Sequence, residues 1–222
     1  MAIISAVEPQ KSTQLKKNKR FNVFIDQKYA FSVSEENLLK FKLKSGLSLD
    51  EKEIKNITND EFLKKILDNC INFLSFRPRT EKEVTDFIIK KISIKQEIPF
   101  NQAKESQIIP QIIKKLKKYK YINDPEFVTW WIKSRNESKQ KGIRLIKLEL
   151  RQKGIAKELL DQIVSNDSAQ SALALKALEK KKTKWQRTDP NQLKTKVLYY
   201  LGSRGFDMDT IKRVFAIYFK KR

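Results

Sequence analysis

Few side chains in this sequence are placed to make or break bonds. Histidine is absent, which removes the commonest general base and the commonest transition-metal ligand together. The single cysteine, Cys70, excludes an intramolecular disulfide. It sits in Ile66-Leu67-Asp68-Asn69-Cys70-Ile71-Asn72-Phe73-Leu74, a helical apolar pattern, and reads as a small core residue rather than a nucleophile. The carboxylate pairs Asp60/Glu61 and Asp207/Asp209 fall at the starts of expected helices, where they complement the helix dipole. There is no Gly-rich phosphate loop, no Ser/His/Asp set and no ligand cluster. No catalytic residue, metal site or cofactor is assigned, and no small-molecule substrate is expected.

Cations are what the chain has in excess. Lys plus Arg number 48 against 26 Asp plus Glu, a net charge of +22. Such an excess is costly through self-repulsion unless a polyanion neutralises it, so nucleic acid is the leading partner class. Lysine-rich runs recur at Lys16-Lys17-Asn18-Lys19-Arg20, Lys114 to Lys118, Lys180 to Lys184 and Lys220-Lys221-Arg222. One run alone reads as a solvated helix face, but four of one sign imply phosphate contacts. The densest stripe holds Arg135, Lys139, Lys141, Arg144, Lys147, Arg151 and Lys153. Within it Arg144, Lys147 and Arg151 follow helical spacing and share one face. Trp130-Trp131 and Trp185 suggest base stacking. Adjacent helical residues point about 100° apart, however, so at least one of the pair belongs in the core. A membrane surface is the competing polyanion. No apolar run approaches the roughly 20 residues of a spanning helix, and the N-terminus carries no signal-peptide pattern, so a cytoplasmic location is expected.

The elements that must position these cations are mostly helical. Phe21, Val23 and Ile25 alternate, as do Tyr29, Phe31 and Val33, which predicts a β-hairpin around Asp26-Gln27-Lys28. A helix from Glu35 to about Lys44 follows, with Ser34 as N-cap and Gly46 past its end, and Ser48 with Glu51 reads as a capping box. From Asn59 a helical period takes over and repeats itself. Leu150-Arg151-Gln152-Lys153-Gly154-Ile155 is echoed by Leu201-Gly202-Ser203-Arg204-Gly205-Phe206, and the match extends through Leu160/Ile211, Ile163/Val214 and Val164/Phe215. A looser copy opens at the capping box Thr80-Glu83, with Ile92 where the others have Gly and residues 93–107 as a polar insertion. Asp189-Pro190 marks another helix start.

The expected fold is therefore mainly α. Three tandem three-helix repeats, at 59–121, 122–166 and 167–222, stack in an elongated curved array behind an N-terminal hairpin-plus-helix extension at 1–58. Each repeat is expected to cap its own helices, so that removing residues 167–222 leaves a folded remainder.

The phrase Leu74-Ser75-Phe76-Arg77-Pro78-Arg79-Thr80-Glu81-Lys82-Glu83-Val84 resembles a signature of the RecX family, regulators of the bacterial RecA recombinase. So do Asn123 to Trp131, Lys141 to Leu150 and Arg151 to Ile155. The resemblance implies three tandem three-helix repeats and a non-enzymatic regulator of DNA repair and recombination. It further implies binding in the groove of the RecA–single-stranded DNA filament, limiting filament growth and strand exchange. The residues expected to touch DNA or filament are Arg77, Arg79, Arg135, Lys141, Arg144, Lys147, Arg151 and Lys153, presented by a monomer. Two other readings are a general helical DNA- or RNA-binding protein without a recombinase partner, and a membrane-surface scaffold.

Overall fold

A computed structural model describes residues 1–10, 19–186 and 188–220. Two of the basic runs, Lys16-Lys17-Asn18 and Lys221-Arg222, therefore lie outside the described residues. The chain forms two compact units, Met1–Phe73 with Lys91–Ile112, and Leu74–Lys90 with Ile113–Arg222.

The first unit contains an antiparallel sheet of β1 (Ala2–Pro9), β2 (Arg20–Ile25), β3 (Lys28–Ser34) and β4 (Ser48–Leu49), in the order β3-β2-β1-β4. The hairpin is present, and its two-residue turn is made without glycine: Asp26 and Gln27 have φ of 49° and 66°. Positive φ at both central positions is the type I′ geometry, whose twist matches that of the strands. A register shift at Val23/Phe24 leaves Tyr29 exposed, edge-on to Phe24 at 6.2 Å, while Phe31 and Val33 face inward. The core of this unit is Ile4, Val23, Phe31, Val33, Leu43, Leu49 and Ile57.

Helix α1 (Glu35–Lys40) is shorter than its pattern, though Ser34 caps it by accepting from Asn37 N. Gly46, at φ 82°, serves a turn beyond it that lays Leu47 against β1, where Ile4 N donates to Leu47 O at 2.9 Å. Ser48 pairs with Ile3 in the sheet and is not a helix cap. The capping box is Asp50/Glu53, each side chain accepting from the other's backbone N–H at 2.6 and 2.8 Å, and it opens α2 (Glu51–Ser75). The polar insertion at 93–107 is partly helical. Helix α3 (Glu81–Gln96) runs straight through Ile92, and α4 (Phe100–Ala103) follows.

Glu61 of α2, almost fully buried, ties the sheet to the helices. Its carboxylate accepts from Ser34 N and Asn37 Nδ2, each at 2.9 Å, and lies 2.7 Å from Arg20 Nη1. Glu61→Gln is expected to destabilise this unit by about 3 kcal/mol, since a buried ion pair loses one partner. Native-state hydrogen exchange across β2 and β3 checks it.

In the second unit Asn123 caps α6 (Asp124–Lys139), with Pro125 in the first turn. Next come α7 (Ile143–Gln152), α8 (Lys157–Asp161), α9 (Asp167–Glu179), α10 (Pro190–Ser203) and α11 (Met208–Lys220), after α5 (Ile108–Lys118), whose C-terminal part lies here. The echoed phrases fold alike. Gly154 and Gly205 sit at φ 86° and 85°, and Ile155 and Phe206 fold back into the core with N–H groups on Leu150 O and Leu201 O. The echo stops earlier than the sequence suggests: α8 ends at Asp161, and Val164 is 88% exposed. Two core clusters result, one around Phe127, Trp131, Ile146 and Leu150, the other around Leu178, Trp185, Leu193 and Leu201.

One joint occurs twice in this unit. Thr80, at the start of α3, donates to Lys153 O at 2.8 Å, and a Cβ on Gly154 would stand 2.6 Å from Lys82 Cβ. At the start of α7, Gly142 N donates to Arg204 O at 2.8 Å, and a Cβ on Gly205 would stand 2.3 Å from Leu145 Cβ. Each time the start of one helix is seated against a glycine loop further along the chain. Helix α7 has no side-chain cap of its own. Gln170 of α9 supplies one, its buried Oε1 accepting from Ile143 N at 3.0 Å.

Candidate nucleic-acid interface

The eight basic residues named from sequence divide by what already holds them. Glu83 of α3 takes both Nη atoms of Arg77, at 3.1 and 3.0 Å, and Lys153 Nζ at 2.6 Å. Glu149 of α7 takes Arg135 Nε at 2.8 Å, the indole N–H of Trp131 at 3.0 Å and the Lys141 ammonium. The Trp131 ring joins the two groups, with the Arg135 guanidinium 3.8 Å and Lys153 Nζ 4.5 Å from its centroid. Charged groups over an indole face are held by its quadrupole. Arg77, Arg135, Lys141 and Lys153 are thus fixed by internal partners, two cations per carboxylate. Arg79 is half-buried, and burial, with the Arg77 charge beside it, lowers its pKa.

The remaining three are different. Arg144 and Arg151 are exposed, Lys147 is half-buried, and none makes a side-chain hydrogen bond or ion pair with any described residue. They stand on one side of α7, away from the buried Ile143, Ile146 and Leu150. A guanidinium pair and an ammonium on a rigid helix can meet successive phosphates of an extended strand.

Of the tryptophans, Trp131 and Trp185 are core residues and Trp130 is half-buried. Cys70 is fully buried, and desolvation pushes its thiol up to about 12, far from a nucleophile's range. In the lysine runs, Lys117 pairs with Glu81 at 2.7 Å, while Lys118 and Lys181 lie over Tyr119 and Tyr200. Sequence reasoning missed the carboxylates Glu83 and Glu149, which decide which cations stay available. It also missed Arg204, which donates to Lys139 O and stacks 4.7 Å from the Tyr200 ring.

Burial alone would raise the pKa of Glu83 and Glu149, but the hydrogen bonds and charges of their basic partners outweigh it and hold both below the usual glutamate range. Groups lowered in the folded state contribute stability above their unfolded pKa and lose it as pH falls through the folded value. Asp124 has the opposite sign, since its burial outweighs the bond from Glu81 N and raises it. Glu149→Gln is expected to cost about 2 kcal/mol at neutral pH. In a thermal-melt series the gap to wild type should shrink as pH falls from 4.5 through the lowered folded value, where wild type loses the same charge.

Among the described residues no helix is long and apolar enough to cross a membrane. Three family models match the sequence: the regulatory protein RecX N-terminal domain over residues 2–50, the RecX second three-helix domain over 123–163 and the third over 169–215. Regulatory protein RecX of Listeria monocytogenes serotype 4a (strain HCC23) is 36% identical over 203 residues, 90% of this chain and 71% of that protein. Its counterpart in Bacillus subtilis (strain 168) is 35% identical over 90% of this chain and 72% of its own length. A crystal structure of regulatory protein RecX superposes with a TM-score of 0.70 at 28% identity, covering 97% of this chain and all of that one. RecX from Lactobacillus salivarius, at a TM-score of 0.57 and 24% identity over 69% of this chain and 94% of that one, shares the fold. By its sequence matches along nearly its whole length, this chain belongs to the RecX family of regulatory proteins.

Proposed function

We propose that this chain regulates the RecA recombinase in the cytoplasm by lying, as a monomer, in the groove of the RecA–single-stranded DNA filament and limiting its growth. The three-helix repeats at 59–121, 122–166 and 167–222 are the modules that reach along it. The observation that carries this reading is the unpaired stripe of Arg144, Lys147 and Arg151 beside the self-neutralised Glu83 and Glu149 groups. The stripe makes the phosphate contacts. Arg77, Arg135, Lys141 and Lys153, held by their carboxylates, keep the helices in place and add net positive charge, with Arg79 at their edge.

RecA-dependent ATP hydrolysis on single-stranded DNA, titrated with this protein, tests the reading. A stoichiometric fall in rate is expected, and no change at saturating protein would refute it. Binding to bare single-stranded DNA is expected to be sequence-tolerant and to weaken with salt, at about −0.7 in the log–log slope per phosphate neutralised. A flat salt response would remove the electrostatic basis.

A further inference from the structure

The second unit has an open groove of about 880 Å³ whose apolar walls phosphate binding does not use. Arg144, Leu145 and Leu148 of α7 form one wall, and α10, the loop after it and α11 contribute Leu198, Tyr199, Gly202, Phe206 and Met208. Leu148, Leu198, Tyr199 and Met208 are 51%, 38%, 75% and 51% exposed. Single exposed apolar residues are ordinary, but four lining one groove mark a surface that something covers.

Gly202 gives a second, independent sign. It lies in the last turn of α10 with no positive φ, and a Cβ built there meets nothing within 4 Å. The fold itself does not need glycine at this position. Glycine in a helix is disfavoured relative to alanine, and what it permits is close approach of another backbone. The corresponding position of the preceding repeat is Arg151.

The rim is positive. Arg144 lines the groove with no partner among the described residues. Lys194 precedes Leu198 by one turn and Lys212 follows Met208 by one turn, both exposed. Of the nearby carboxylates, Asp207 is engaged in capping α11 through Thr210 N at 2.7 Å, and Asp209 stands exposed in that helix's first turn. The walls are mainly aliphatic, with a methionine, one exposed tyrosine and the buried Phe206, which fits the apolar face of a helix better than a row of stacked bases.

We infer that this groove docks an acidic amphipathic helix of the recombinase itself, with α7 shared between two contacts, Arg144, Lys147 and Arg151 on phosphate and Leu148 on protein. The occupant carries apolar anchors at i, i+3 or i+4 and i+7, passes its backbone over Gly202, and sets its carboxylates toward Lys194 and Lys212. This rests on the proposed filament reading for the identity of the partner, but the groove's chemistry is testable without it.

Two measurements on the full chain separate these levels. The first is fluorescence anisotropy of a labelled, designed two-turn amphipathic helix with leucine anchors and glutamate flanks. Saturable binding is expected, weaker by roughly tenfold in Gly202→Leu, whose added side chain fills the groove without touching the fold. The melting temperature of that variant should not fall. Absence of binding, or equal binding by Gly202→Leu, overturns the groove assignment even if RecA ATP hydrolysis responds to wild type. The second replaces Tyr199 with the photocrosslinker benzoylphenylalanine in the assembled RecA–DNA complex. A protein–protein adduct with RecA is expected, and an adduct with DNA, or none on filaments that bind the protein, overturns the recombinase helix as occupant. Failure of wild type to affect ATP hydrolysis at all sinks the filament reading instead, and with it the named source.

Discussion

Reversing two charges, Arg144→Glu with Arg151→Glu, should weaken filament binding on the order of a hundredfold at physiological salt, about 1.4 kcal/mol per site. Both side chains are exposed and neither has a partner among the described residues, so the fold has nothing to lose from the change. Circular dichroism and the melting temperature should be unaltered. The salt slope on single-stranded DNA should become shallower by about 1.4, two contacts at 0.7 each. The same reversal at Arg135 would instead set a carboxylate against Glu149, now 2.8 Å from its Nε, and strip the cation from the Trp131 face. That variant should unfold readily. If Arg144→Glu/Arg151→Glu regulates like wild type while remaining folded, the stripe is only a solvated face and phosphate contact lies elsewhere.

The second large effect is structural. Gly142→Ala should cost about 3 kcal/mol or more in the second unit, because the added Cβ would stand 2.4 Å from Gly205 C, Gly205 O and Phe206 N. These are backbone atoms, which cannot swing aside as a side-chain end can. Gly205→Ala adds unfavourable backbone at φ 85° to a clash with Leu145. Gly202→Ala, three residues earlier in open space, should raise stability slightly. A urea-denaturation series on the three variants makes the comparison, and equal midpoints for Gly142→Ala and Gly202→Ala would refute the close joint. The joint also bears on the expectation that removing residues 167–222 leaves a folded remainder. Their loss takes away Gln170, the only side chain on Ile143 N among the described residues, together with the Gly205 loop that seats α7, so the start of α7 should lose stability.

Local signals were the legible part of this chain. Asp26-Gln27 between two alternating runs gave the hairpin, and the Gly154 and Gly205 phrases gave matching helix ends, because turn and cap chemistry lies within a few residues. Strands β1 and β4 escaped notice. Their partners are 12 to 47 residues away, and Ser48, polar and three residues before Glu51, mimics a cap while serving as a strand. The helical turns within the polar insertion at 93–107 were not legible, because Ala103 is its one buried residue and a single apolar position shows no period. At the candidate site, charge counting located the basic stripe but could not divide it. Lys153 is removed from service by Glu83, 70 residues earlier, and no local pattern announces that pairing.

The twice-made joint of helix start and glycine loop has a consequence for self-assembly. A head-to-tail contact that does not close on itself can in principle extend without limit from chain to chain. The loops at Gly154 and Gly205 are already occupied within their own chain, by Lys82 and Leu145. In α3 no such loop forms, because the helix continues past Ile92 to Gln96. A second copy can therefore engage either loop only by displacing the helix start already seated there, trading one contact for an equal one, so the joints themselves give no drive to extend from chain to chain.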